Sequence, residues 1–254
     1  MHSDSFEGRA LGEYSSFTDE TDLTARYMII GGITCGTAFV PELFSILTRY
    51  QERMPYRGRL QWKNITRHNF TIFQDLIDEF FYLNGEHLVD FHALVVDMWN
   101  FDHMTHNEGD KEVSFDKMLF QSLLAIHKRY PGCTKIRCFH GNRDSPYSIG
   151  ALRGMLNAKV YTLRYRQVYL PYAHVKNLEV KRSLPMQLAD LLIGALGAHW
   201  NVRKGYVPGC PKDMVAQHFK RESPVGSLLE GSPRSMKHFV IWPFQGRGPA
   251  GLGD

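Results

Sequence analysis

Two polar side chains interrupt an otherwise apolar segment of the sequence, LPMQLADLLIGALGAHW at residues 184–200. Gln187 and Asp190 are three residues apart, so they would share one face of an α-helix. Burying an unpaired carboxylate costs several kcal/mol or keeps the group protonated. We therefore expect either that the pair faces solvent or that a cation lies against Asp190.

Further carboxylates follow the predicted strands. Asp19 and Glu20 end the first strand, Asp97 ends the segment VDFHALVVD, and Asp144 lies in the loop HGNRDS after a later strand. The ends of strands and the adjoining loops form the functional crevice of open α/β sheets. Oxygen ligands there would suit Mg²⁺ or Mn²⁺, and a pair of such ions can clamp the attacking and leaving oxygens of a phosphodiester. Acids in such positions also form turns and helix caps, which is the alternative for each of them.

The pattern of apolar residues predicts the elements that would position these groups. Strands are predicted at 14–18, 26–34, 57–65, 89–97, 135–139, 161–172 and 238–244. Helices are predicted to begin at Pro41, to follow Thr66 as N-cap over 70–81, and to span 115–129, 146–157 and 184–200. Residues 205–234 are rich in Pro and Gly and are predicted to be irregular.

Strands that alternate with helices are typical of an α/β fold. We predict a single domain over residues 13–244, with 1–12 and 245–254 as disordered ends. No apolar run reaches the roughly 18 residues of a membrane span, and the polar, acidic N-terminus does not resemble a secretory signal. The four cysteines have no CxxC spacing, which fits reduced thiols and argues against a cysteine zinc site. We expect a cytoplasmic protein.

Positive charge is concentrated in the second half of the chain, which has 254 residues and a net charge of +4. Seven Lys or Arg and one acid lie between Arg153 and Arg182, and seven Lys or Arg and three acids lie between Arg203 and Lys237. This distribution suits a polyanionic partner such as nucleic acid, and a solvated charged surface is the alternative.

Several local motifs occur in an order that resembles one bacterial family, the domain-of-unknown-function 3800 family, whose members have an RNase H-like fold. YSSFTDET and YMIIGGIT resemble the opening strands of the family. RLQWKNIT resembles its ELKWSK-like motif, and LIDEFF resembles part of the helix that follows. FHALVVD resembles its FRAIVVD-like strand. SLPMQLADLLIGA resembles the LLQLADLLIGA signature, and FVIWPF resembles the terminal strand. The resemblance covers roughly residues 14–244. It implies an α/β, RNase H-like domain with a central mixed sheet flanked by helices.

The resemblance also implies metal-dependent hydrolysis of phosphodiester bonds with Mg²⁺ or Mn²⁺. Asp19 would bridge two ions, and Asp190 would hold the second ion from its helix. Glu20, Asp97 or Asp144 would complete the ligand shell. The expected activity is therefore that of a two-metal phosphodiester hydrolase, a nuclease.

The sequence departs from the family pattern at three positions. Arg59 stands where the ELKWSK-like motif has Glu, and Gln61 stands where it has Lys. Either His140 or Gly141 lies roughly where the family often has Asp. His140 could ligate a metal or act as an acid or base, and a buried histidine is the alternative. Gln187 carries over as a supporting residue of the site. If ligands are missing, affinity for the second ion should fall.

Two functions stay open at this point. The first is a nuclease that cuts RNA or DNA, in a bacterial system of defence against phage or mobile elements. Arg164, Arg166, Lys181 and Arg182 would then hold the nucleic-acid backbone. The tyrosines around Arg164 and Arg166 could stack bases, or could be buried in an edge strand. The second function is that of a catalytically reduced RNase H-like subunit that binds nucleic acid or a protein partner.

Overall fold

A central sheet of six strands organises the computed structural model, which describes residues 12–21, 25–100, 111–130, 132–142, 149–163, 170–201 and 207–244. The strands are β1 (Glu13–Glu20), β2 (Tyr27–Gly36), β3 (Val89–Asp97), β4 (Lys135–Gly141), β5 (Tyr172–Leu178) and β6 (Phe239–Phe244). Their order across the sheet is β5-β4-β1-β2-β3-β6. β2 pairs antiparallel with β1 and β3, and the other neighbouring strands pair in parallel. The sheet is therefore mixed.

Six α-helices flank this sheet within the described residues. They are α1 (Val40–Arg53), α2 (Phe70–Gly85), α3 (Lys111–Arg129), α4 (Ile149–Leu163), α5 (Leu184–Trp200) and α6 (Pro211–Glu222). One face of the sheet packs against α1, α2, α5 and α6, and the other packs against α3 and α4. The prediction of an α/β fold with a central mixed sheet flanked by helices is confirmed.

Alternation of side chains along the strands builds both cores. Phe17, Ile29 and Phe91 belong to the core under α5, whereas the neighbouring residues Met28 and Ile30 belong to the core under α3. Every residue of α5 from 184 to 197 except Asp190 is buried, which explains why the segment is so apolar. Within the described residues, no helix is both long enough and apolar enough to cross a membrane.

Close approach of α5 to the sheet depends on glycine in β2. A Cβ added to Gly32 would lie 2.0 Å from the carbonyl oxygen of Phe17 and 3.0 Å from Cβ of Ala189. A larger residue at position 32 would therefore separate α5 from β1 and β2. This packing brings the polar face of α5 to the end of the central strand β1.

The prediction of a strand over residues 57–65 is wrong. Residues 58–61 have no regular secondary structure and lie between two short 3₁₀ turns, Pro55–Arg57 and Trp62–Asn64. The backbone N–H groups of Leu60 and Trp62 donate to side chains of α5 instead of to a neighbouring strand. The hydrogen bonds that define a strand are replaced here by bonds to a helix.

Three other boundaries also differ from the prediction. Residues 161–163 complete α4, and β5 begins only at Tyr172, so residues 161–172 do not form one strand. Residues 164–169 lie outside the described residues. α2 begins at Phe70 after Asn69, because residues 66–69 form a turn in which Asn69 Oδ1 accepts from the N–H of Thr66. The segment predicted to be irregular contains α6, whose first residue is Pro211, a favoured helix start.

Candidate metal centre

Asp19 stands at the end of the central strand and is almost fully buried, with 9% of its surface exposed. It projects on the α5 face of the sheet, like Phe17 two residues earlier. The register pairs Thr18 with His140, which places Gly141 beside Asp19. A Cβ on Gly141 would lie 2.0 Å from Oδ1 of Asp19. The end of β4 therefore makes room for the Asp19 carboxylate because it has no side chain there.

Asp190 and Gln187 hold the segment that contains Leu60 and Trp62. Oδ2 of Asp190 accepts from the Trp62 N–H at 2.7 Å, and Oε1 of Gln187 accepts from the Leu60 N–H at 2.7 Å. Nε2 of Gln187 donates to the carbonyl oxygen of Lys181 at 3.3 Å. Both polar side chains on α5 therefore have partners, and these partners are backbone groups.

The charges of Glu20 and Asp190 act on the carboxyl group of Asp19, and we call these three acids the acidic cluster. Burial, followed by repulsion from the charges of Glu20 and Asp190, raises the pKa of Asp19 to about 8. Burial also raises the pKa of Asp190, against the opposing effects of the Trp62 N–H and the positive charges of Lys63 and Lys212. Clustered buried carboxylates resist ionisation, and a bound divalent cation would remove that penalty.

His140 supports Glu20 from the other face of the sheet. The ring is 1% exposed, its Nδ1 lies 3.0 Å from Oγ1 of Thr18, and its Nε2 lies 3.2 Å from Oε2 of Glu20. Its ring centroid is 6.1 Å from that of Phe115 on α3. Because Thr18 and Glu20 alternate with Asp19 along β1, His140 contacts the acidic cluster through Glu20.

Asp97 is not brought to this cluster. Asp19 pairs with Gly31, and Gly31 pairs with Ala93, so Asp97 lies four residues farther along β3, a distance of about 13 Å along the strand. Its Oδ2 accepts from Nη2 of Arg26 at 2.8 Å, and its Oδ1 accepts from backbone N–H groups that follow β3. These contacts agree with the alternative interpretation, in which Asp97 is a turn-forming residue.

Two predicted nucleic-acid contacts, Lys181 and Arg182, pair with an acid outside the cluster. Lys181 and Arg182 form a short 3₁₀ turn and both pair with Glu179, at 3.1 Å and 2.9 Å respectively. Asp144, Arg164 and Arg166 lie outside the described residues. Their predicted roles as metal ligand and as nucleic-acid contacts therefore stay predictions.

Three further residues, none of them predicted as a site residue, lie next to Trp62 in the sequence or in contact with its ring. Lys63 follows Trp62 in the 3₁₀ turn, and Lys212 is the second residue of α6, with Nζ 5.9 Å from the centroid of the Trp62 ring. Gln61 is 5% exposed, and its buried Oε1 has no hydrogen-bond partner in the described part of the chain. Gln61 and Lys63 belong to the RLQWKNIT motif, whereas Lys212 lies in no motif.

The residues of this cluster fit Mg²⁺ or Mn²⁺. Three carboxylates are the hard oxygen ligands that these ions prefer. Gly141 has no Cβ, and Oδ1 of Asp19 lies where a Cβ would otherwise be. Asp19, Glu20 and Asp190 are the residues that could hold an ion.

A second group of potential ligands lies between α2 and α6. Ligand atoms of Asp78, His218 and Glu222 are all within 4.8 Å of one another. However, Arg221 donates from Nη2 to Nδ1 of His218 at 2.5 Å, so Nε2 must carry the ring proton, which it donates to Asp78 at 2.6 Å. Arg221 also donates from Nε to Glu222 at 2.9 Å. Arg221 thus offsets one of the two carboxylate charges and occupies an atom of His218 and an atom of Glu222, which weakens this group as a metal site.

Comparison with known proteins identifies no family. No protein-family model matches the sequence, and no curated protein matches it significantly. Among solved structures, the chain is similar to a chain of the PCNA:RNase HII complex from Archaeoglobus fulgidus. The two are 11% identical, the match covers 82% of this chain and 88% of that chain, and the TM-score is 0.41. The function must therefore be argued from the geometry of the site.

Proposed function

We propose that this chain is a metal-dependent nuclease that hydrolyses phosphodiester bonds of RNA or DNA. The observation that carries the proposal is the cluster of Asp19, Glu20 and Asp190, in which burial and mutual repulsion raise the pKa of Asp19 to about 8. A cluster of this kind is costly to keep unless it binds a cation. The basic charge of the second half of the chain supports a polyanionic substrate.

The motif resemblance supports the same proposal. QLADLLIGA contains Asp190, and YSSFTDET contains Asp19 and Glu20, so the two most informative motifs carry the three clustered acids. We propose on this basis that the chain is an RNase H-like member of the domain-of-unknown-function 3800 family and that it acts in bacterial defence.

Each residue of the cluster has a defined task in this proposal. Asp19, Glu20 and Asp190 would hold Mg²⁺ or Mn²⁺, and a bound ion would lower the pKa of a water and offset the charge of the phosphate. Asp19 must release its proton to become a ligand, because its pKa is about 8 without metal. The Trp62 N–H fixes Oδ2 of Asp190.

A catalytically reduced subunit is the second candidate. The observation that favours it is the end of β4, where His140 and Gly141 stand and no acid is present, together with the pairing of Asp97 with Arg26. Such a protein would bind nucleic acid or a protein partner and would hold at most one ion tightly. Such a subunit would have the same fold as the nuclease but would not cleave nucleic acid.

A cleavage assay and a thermal-shift assay together test the proposal. Labelled single-stranded and double-stranded RNA, DNA and hybrid are incubated with Mn²⁺ or Mg²⁺ and with wild type, Asp19→Asn, Asp190→Asn or the control Asp97→Asn. We expect cleavage, and stabilisation by Mn²⁺, to be lost in the first two variants and kept in the control. Mn²⁺ stabilisation without cleavage would favour the reduced subunit. The absence of both in wild type would overturn the metal centre.

A further inference from the structure

The buried ring of His140 has one nitrogen to which no role has yet been assigned. The ring is 1% exposed, and its Nε2 makes no hydrogen bond within the described part of the chain. Oε2 of Glu20 is nevertheless only 3.2 Å from this nitrogen. A buried polar atom that makes no hydrogen bond is costly, so a group other than the protein is expected to satisfy Nε2.

Hydrogen bonds on the opposite side of the ring indicate which nitrogen carries the proton. Nδ1 of His140 lies 3.0 Å from Oγ1 of Thr18, and the Thr18 hydroxyl donates its single proton to the carbonyl oxygen of Phe139 at 3.4 Å. Oγ1 of Thr18 is therefore the acceptor for the N–H at Nδ1. In the neutral ring Nε2 then has a lone pair and no proton. Metal-binding histidines are oriented in the same way, since their second ring nitrogen donates to a polar group.

The spacing of Nε2 of His140 and Oε2 of Glu20 suits two ligands of one metal ion. A lone pair and a carboxylate oxygen 3.2 Å apart repel each other unless a positive charge lies against both. Two ligands that are each about 2.1 Å from an ion, at a right angle, are about 3.0 Å from each other. Their lone pairs then point at the ion, which agrees with the lack of a hydrogen bond from Nε2.

The fold places this pair of atoms at the strand end that holds Asp19. Gly141 follows His140 in β4, and a Cβ on Gly141 would lie 2.0 Å from Oδ1 of Asp19. Glu20 follows Asp19 in β1, and the side chain of Glu20 is 15% exposed. An ion can therefore reach Nε2 from the side of Glu20, although the ring itself is buried.

We propose that Nε2 of His140 is a ligand, together with Glu20, of a divalent ion at the acidic cluster, so that the centre combines nitrogen and oxygen ligands. The inference rests on the proposed function, because the ion is that of the proposed metal centre. Imidazole suits transition metals, whereas Mg²⁺ prefers oxygen ligands and retains much of its water. The centre should therefore prefer Mn²⁺ to Mg²⁺.

Pulsed electron paramagnetic resonance of bound Mn²⁺ tests this ligand directly, because a nitrogen bonded to Mn²⁺ modulates the electron spin echo. We expect nitrogen modulation in wild type with one equivalent of Mn²⁺, and its loss in His140→Gln and His140→Asp. Changes to residues that only support a ligand cost about 10–100-fold in affinity, so His140→Gln should bind Mn²⁺ at least about tenfold more weakly. His140→Asp offers an oxygen ligand, so it should keep Mn²⁺ bound while its preference for Mn²⁺ over Mg²⁺ falls.

His92→Gln is the matched control. Thr18 pairs with His140 and with Gly32, and Gly32 pairs with His92, so the two histidines lie in one row of the sheet, about 14 Å apart. The His92 ring is 2% exposed, and its Nε2 also makes no hydrogen bond within the described residues. His92→Gln should keep both the nitrogen modulation and the Mn²⁺ affinity of wild type.

The possible outcomes separate the ligand from the nuclease. Mn²⁺ bound by wild type without nitrogen modulation would overturn the ligand and leave His140 as a buried partner of Glu20. Modulation that persists in both His140 variants would also overturn it. Modulation from His140 without any cleavage of nucleic acid would keep the ligand and remove the nuclease, whereas no Mn²⁺ binding by wild type would remove both. Wild type labelled at histidine with the heavier nitrogen isotope needs no substitution, and unchanged modulation frequencies in that protein would overturn the ligand.

Discussion

The backbone N–H of Trp62 donates to Oδ2 of Asp190 at 2.7 Å, so one carboxylate both anchors the 3₁₀ turn and faces the acidic cluster. Its two tasks can be separated by substitution. Asp190→Asn keeps an oxygen that can accept from Trp62 but removes the charge, whereas Asp190→Ala removes both. We expect Asp190→Asn to lose Mn²⁺ stabilisation and, without metal, to be at least as stable as wild type at neutral pH, because burial raises the pKa of Asp190. Asp190→Ala should be less stable than Asp190→Asn by about 1–3 kcal/mol, because the N–H loses its partner.

Urea unfolding with and without Mn²⁺ measures both effects. Equal metal-free stabilities of the two variants would contradict an anchoring role for Asp190. Full Mn²⁺ stabilisation of Asp190→Asn would contradict its role as a ligand.

The raised pKa of Asp19 predicts that the metal-free protein loses stability as pH rises. The folded protein holds this proton up to about pH 8, whereas the ordinary value for the group is 3.8. Between these values the folded state binds more protons than the unfolded state, so the free energy of unfolding falls with increasing pH. Asp19→Asn removes the contribution and should be more stable than wild type at pH 8, by on the order of a few kcal/mol.

Urea titrations from pH 4 to pH 8 in EDTA check this prediction. The advantage of Asp19→Asn should shrink towards pH 4, and saturating Mn²⁺ should reverse it, since only wild type gains the ion. A difference between the two proteins that does not depend on pH would show that Asp19 titrates normally.

The run of apolar residues predicted β3 and α5, and it did so for a physical reason. Both elements are buried along most of their length, so most of their positions must be apolar. The three-residue spacing alone predicted that Gln187 and Asp190 share one face of a helix. Their actual partners, the N–H groups of Leu60 and Trp62, could not be predicted, because every residue except proline has such a donor.

The local sequence pattern does not distinguish Asp19, which lies in the cluster, from Asp97, which does not. Each ends or nearly ends a buried strand, and the two look equivalent in sequence. Only the register separates them, since Asp97 lies four residues beyond the residue aligned with Asp19. Lys212 was missed for a related reason: its helix α6 is short and lies between Pro-rich and Gly-rich segments that predict irregular structure.

Gly141→Ala should disturb the cluster without adding or removing a charge. The new Cβ would lie 2.0 Å from Oδ1 of Asp19, so the carboxylate or the end of β4 must move. We expect a loss of about 1–3 kcal/mol in the free energy of unfolding, together with weaker Mn²⁺ binding. Gly154→Ala on α4 is the matched control, because its Cβ would meet nothing within 4 Å. This control should be neutral or stabilising by up to about 1 kcal/mol. Unfolding curves and Mn²⁺ titrations that match for the two variants would contradict close packing of Gly141 against Asp19.

Asp97→Asn should weaken the fold and leave the metal response intact. Burial raises the pKa of Asp97, but hydrogen bonds from Arg26 and from the N–H groups of Trp99 and Asn100 outweigh it, so the pKa lies below its ordinary value. This contribution is present at neutral pH and is lost as pH falls through the folded pKa. The variant should therefore be less stable by about 1 kcal/mol at pH 7 and equal to wild type in acid, since both partners are partly exposed. Its Mn²⁺ shift should equal that of wild type, and a loss comparable to that of Asp19→Asn would place Asp97 among the ligands after all.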